Sequence, residues 1–143
     1  MDKKVFFKSV ARRVGCDERR AEGLTFAVFQ ELRDRLTPGE AADVDAQLPG
    51  GLKPLWEFLD RPGRHVRKLH ELQFVGEVRL IASLPDEVEA EHAVVAVFAT
   101  LQELLGSPTG MEGEAWDVMS QLPKDLKKLW LGAHQRVAGF QRI

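Results

Sequence analysis

Nucleophilic and metal-binding chemistry is thin in this 143-residue chain, which has one cysteine, no tyrosine and four serines, Ser9, Ser83, Ser107 and Ser120. The lone Cys16 has no disulfide partner and no neighbouring Cys or His for a zinc site, which suits a reducing cytoplasm. Neither a Gly-x-Ser-x-Gly elbow, nor a phosphate loop, nor a dinucleotide fingerprint occurs. His65, His70, His92 and His134 lack metal-ligand spacing, so no metal and no other cofactor is expected. A net charge of -2 provides no global field to draw in nucleic acid or an anionic membrane. Apolar runs fall short of the roughly 18 residues of a membrane span. The start, Met1 to Lys8, lacks the apolar stretch and cleavage site of a signal peptide. These absences argue against an enzyme and a membrane protein, and the expectation is a cytoplasmic one.

What is present is an ordinary globular composition, 44% hydrophobic and 29% charged, at the length of one domain. The chain also repeats itself. A shift of 74 aligns residues 40–56 with 114–130, and eleven of the seventeen positions are identical, including Gln47/Gln121, Pro49/Pro123 and Trp56/Trp130. Upstream, a shift of 69 pairs Asp17, Ala21, Ala27, Val28, Phe29 and Leu32 with Asp86, Ala90, Ala96, Val97, Phe98 and Leu101. The change of shift is a five-residue insertion within 106–113, which predicts a loop there.

The repeated elements are expected to be helices. Ala21, Leu24, Val28, Leu32 and Leu36 keep the three-and-four spacing of one helix face, with Asp17 as N-cap. The apolar stretch 93–99 resembles a buried strand. However, Asp86 and Glu89 make a capping-box-like start, and the pattern runs on to Leu105, longer than a strand needs. Thr37, Pro38 and Glu40 signal another helix start, and Pro49 stops that helix near Leu48. Thr109, Glu112 and Pro123 repeat the logic. The reading is an all-α helical bundle of two tandem, pseudo-two-fold related helical repeats in a single domain, 1–143. Repeat one covers about 3–60, a basic connection about 61–70, and repeat two about 71–133. The last helix continues to about 141 on the face of Ala133, Val137 and Phe140.

Leu36-Thr37-Pro38-Gly39-Glu40-Ala41-Ala42-Asp43, followed by Ala46-Gln47-Leu48-Pro49 and echoed by Ser120-Gln121-Leu122-Pro123, resembles the bacterial domain-of-unknown-function family 2267. The resemblance covers nearly the whole chain. It implies an all-helical cytoplasmic protein and supplies no activity or catalytic residue to carry over.

The recurrent residues have both structural and binding readings. Gln47 and Gln121 either cap the carbonyls freed by Pro49 and Pro123 or offer paired amides to a ligand. Trp56 and Trp130 close the core of each unit. Trp116, which replaces Ala42 at the matched position, is the candidate for an exposed contact. His92 stands where the first copy has Gly23, on a helix expected to be buried. Cys16 sits just before a predicted helix N-terminus, a setting that lowers thiol pKa values, so the reading of a reactive thiol stands beside the favoured one of an inert structural thiol. Arg61, Arg64, Arg67 and Lys68 form a basic cluster within eight residues.

The expected function is a non-enzymatic interaction or self-association module, with a homo-oligomer or another protein as partner. One alternative is anion or nucleic-acid binding through Arg61, Arg64, Arg67 and Lys68, with nucleic acid the less favoured partner. The other is an apolar ligand held between the repeats.

Overall fold

The computed structural model describes residues 3–48, 50–59, 71–104 and 126–133. Among them every regular element is helical: α1 (Lys3–Val14), α2 (Glu18–Arg33), α3 (Pro38–Gln47), α4 (Lys53–Phe58), α5 (Glu71–Ile81) and α6 (Glu87–Leu104). Residues 126–133 are helical too. The stretch 93–99 lies inside α6, as its capping signals predict. The expected loop at 106–113 and the extension of the last helix to 141 lie outside the described residues.

Local chemistry accounts for the boundaries. Asp17 Oδ1 accepts a hydrogen bond from the Arg20 amide at 2.7 Å, and Asp86 Oδ1 accepts one from the Glu89 amide at 2.9 Å. Each satisfies an amide that a helix start leaves without an intrahelical acceptor. α1 ends at Gly15 with φ +85°, and the Cys16 amide donates back to the Ala11 carbonyl at 3.0 Å. α5 closes the same way at Ser83, φ +54°, with the Leu84 amide donating to the Arg79 carbonyl at 2.9 Å. A left-handed residue is what such a reversal requires, and glycine adopts it without a Cβ clash.

α2 and α6 lie at the centre and touch each other. α1 packs on α2 and α6, and α5 packs on α6 and α2. This arrangement is unchanged when α1 is exchanged with α5 and α2 with α6. The buried side chains of all these helices join in one continuous apolar core. α6 is buried nearly all round from Ala93 to Gln102, which explains why its sequence is apolar rather than amphipathic.

Aromatic rings stack within the core. Phe29 meets Trp56 at 5.6 Å between ring centroids, and Phe98 meets Trp130 at 5.2 Å. On the outer side, Phe6 lies 6.2 Å from Phe29 and Phe74 lies 6.3 Å from Phe98. All six rings are buried. The carbonyl of each tryptophan accepts a bond from the same position of the central helix, from Arg33 Nη1 at 3.0 Å for Trp56 and from Gln102 Nε2 at 2.6 Å for Trp130.

Candidate functional site

Two of the residues singled out in the sequence, Trp56 and Trp130, fall in the described core. Trp56 is fully buried, donates from Nε1 to the Ala41 carbonyl at 3.0 Å, and lies 5.2 Å beneath the Arg33 guanidinium. Trp130 is equally buried. Both are therefore closed to a ligand. Gln47 is half-buried at the end of α3. Pro49, Gln121, Pro123, Trp116, Arg61, Arg64, Arg67 and Lys68 lie outside the described residues, as do His65, His70 and His134.

His92, expected in a buried setting, is half-buried. Cys16 runs against its helix-start expectation. Burial pushes its thiol above the ordinary value and Asp17 adds to the rise, while Arg20 lowers it. The Asp17 carboxylate that caps α2 sits beside the sulfur and disfavours a thiolate, so the local charge opposes the helix terminus. Among the described residues no group of three or more His, Cys, Asp or Glu comes together as metal ligands, and no helix is long and apolar enough to cross a membrane.

Two features were not anticipated from the sequence. The first is a buried ionic cluster where α2 ends. Arg35 and Glu31 form an ion pair at 2.6 Å, with side chains 0% and 2% exposed, and the Arg35 guanidinium lies 4.8 Å over the Phe74 ring. Arg35 also donates to the Glu31 carbonyl at 2.7 Å. Burial raises the Glu31 carboxyl above its ordinary range; the hydrogen bond and charge of Arg35 oppose this, while Asp34 and Glu77 add to it. Fixed by the α2 backbone and a ring of α5, the pair is built as a structural clamp.

The second is an open cleft between the start of α1, the first turns of α2 and the short α4. Its volume is about 540 Å³ and its lining is Lys3, Phe7, Glu22, Gly51, Leu52, Pro54, Leu55 and Phe58. The geometry of α4 makes it. Leu52, Trp56 and Leu59 share the buried face, which leaves Leu55 and Phe58, three residues apart, on the neighbouring face. Pro54, in the first turn of α4, presets the helical backbone. Phe58 rests on Phe26 at 6.3 Å yet is 74% exposed, the most exposed of the large apolar residues described. A hollow of about 360 Å³, lined by Lys3, Lys4, Phe7, Glu18, Arg19 and Glu22, adjoins it. The pattern Leu55–Phe58 was available as the signal. The adjacent Trp56 masks it by accounting for the apolar character of the segment.

The family model described as "Uncharacterized conserved protein (DUF2267)" matches residues 3–129, and the chain belongs to that family. No curated protein matches it.

Proposed function

We propose that this chain is a non-enzymatic interaction module that receives an apolar surface of a protein partner in the cleft formed by α1, α2 and α4. The observation that carries this reading is Phe58, 74% exposed beside Phe7, Leu52 and Leu55. An aromatic side chain held on a rigid helix at the edge of an apolar hollow is the anchor type that dominates interface energetics. Charges at the rim would set orientation rather than affinity.

The same proposal takes the chain as an internal duplication with approximate two-fold symmetry. Paired caps, paired left-handed helix ends, paired Phe–Phe–Trp stacks and the exchangeable helix packing support it. The single cysteine supports a reducing, cytoplasmic setting.

The test uses the anionic dye 1-anilinonaphthalene-8-sulfonate on dilute native protein. The native protein is expected to enhance its fluorescence, and the Leu55→Ser, Phe58→Ser double variant to weaken binding about tenfold, equivalent to roughly 1.4 kcal/mol. Native protein that leaves the dye dark, or a double variant that binds it as well as the original, would overturn the cleft as an accessible apolar site.

A further inference from the structure

The occupant of this cleft can be argued from the other half of the molecule, on the assumption that the cleft is an interface. Leu80 and Val88 are 66% and 61% exposed and flank the junction between α5 and α6. Counted back from the left-handed helix ends Ser83 and Gly15, Leu80 corresponds to Arg12, and the shift of 69 pairs Val88 with Arg19; both arginines are exposed. One half therefore shows cations where the other shows bare aliphatic side chains. Around Val88 the surface is acidic, since Asp86, Glu87 and Glu89 are all exposed.

The cleft carries the opposite sign. Lys3, Lys4 and Arg19 line the cleft and its adjoining hollow, and none of them is in an ion pair among the described residues. Of the two carboxylates there, Glu18 lies 4.0 Å from Lys8, leaving Glu22 as the counter-charge. An apolar floor edged by cations thus matches an aliphatic knob edged by carboxylates. The knob is also fixed in shape. Asp86 caps α6, the Leu84 amide bonds back to the Arg79 carbonyl, and Arg79 Nη2 donates to the Pro85 carbonyl at 3.4 Å. Such preorganisation lowers the ordering cost of association.

We infer that the cleft of one copy receives the α5–α6 corner of a second copy, so that the chain self-associates head to tail. The contact is heterologous: a pair as a whole keeps one cleft and one corner unused, and growth continues until a ring closes. Charge steers the encounter, so association weakens as salt rises.

Sedimentation velocity from low micromolar to near-millimolar concentration tests this with two variants. Leu55→Asp with Phe58→Asp disables the cleft, and Leu80→Lys with Val88→Lys disables the corner. The native chain is expected to gain mean mass with concentration and lose it with added salt. Each variant alone is expected to stay monomeric, weakened about tenfold or more. Mixed in equal amounts they are expected to form a discrete one-to-one dimer, because each supplies the surface that the other has lost.

A native chain that stays monomeric throughout, a cleft variant that still assembles, or a mixture no heavier than its parts would each overturn the inference. Helical circular dichroism checks that the variants fold; where the aspartates prevent folding, the single change Phe58→Ser replaces them in the same mixture. Dye binding by a strictly monomeric native chain leaves the cleft standing as an interface and removes only the second copy as its occupant.

Discussion

The first half of the molecule, α1 to α4, and the second, from α5 onward, enclose matching aromatic interiors but surround them with different polar chemistry. Trp56 and Trp130 each sit against a phenylalanine of a central helix, yet the carbonyl of one is held by a guanidinium and that of the other by an amide. The end of α2 buries the ion pair Glu31–Arg35, and the matched positions of α6 are Thr100 and Leu104. Thr100 instead bonds its own helix at the Ala96 carbonyl, 2.7 Å away, and receives Arg13 Nη1 from α1 at 2.8 Å. Arg13 also pairs with Glu103, so a single arginine ties α1 to α6. The interior tolerates little change because apolar packing is set by volume, whereas a polar partner is replaceable whenever another donor reaches the same acceptor.

The most severe way to break this comparison is to remove a tryptophan. Trp56→Ala and Trp130→Ala are each expected to cost about 3–5 kcal/mol, read from urea unfolding, with one cooperative transition in both cases. Two transitions, with only the mutated half melting early, would show that the halves fold separately.

Arg35→Met is expected to cost a similar amount, about 3–5 kcal/mol, because it leaves Glu31 buried without its cation. Adding Glu31→Leu should recover most of the loss, which a double-mutant cycle measures. The same glutamate predicts a pH dependence. Its folded-state pKa is raised, so the folded protein holds the proton more tightly than the unfolded chain. Its contribution therefore favours the fold below the ordinary glutamate range and is lost as pH rises through the raised value. Urea midpoints followed from acid to neutral pH should show this decline, and Glu31→Gln should flatten it.

Smaller effects sharpen the contrast. Gln102→Leu deprives the Trp130 carbonyl of its buried donor and should cost about 1–2 kcal/mol, while Arg33→Gln, which copies the second half into the first, should cost less. Ser83→Gly, which copies the first half into the second, should raise stability by about 0.5–1 kcal/mol by relieving a left-handed backbone at a non-glycine residue. Thermal melts of both reciprocal exchanges check these signs.

Much of the helix inventory was legible in the chain. Asp17 and Asp86 announced their helix starts, Pro38 and Pro49 bracketed α3, and the length of the 87–104 pattern separated a buried helix from a strand. The Glu31–Arg35 pair was legible as an i, i+4 spacing, but its burial was not, since most such pairs sit in water. The cleft was less visible still. Trp56 dominates its segment, and only the packing of α4 against α2 and α3 decides that Leu55 and Phe58 remain uncovered. Cys16 inverts the usual expectation because burial raises its thiol and the residue that caps the helix is itself a carboxylate.

By itself the sequence determined the helical class and the helix boundaries at its capping and stop residues. These rest on local backbone chemistry and on periodicity, which a single chain displays directly. Only the tertiary structure decided which faces of α4, α5 and α6 stay exposed, which charges are buried, and that an apolar hollow opens beside Phe58. Exposure depends on which elements arrive to cover a face, and that is a property of the assembled helices rather than of any one of them.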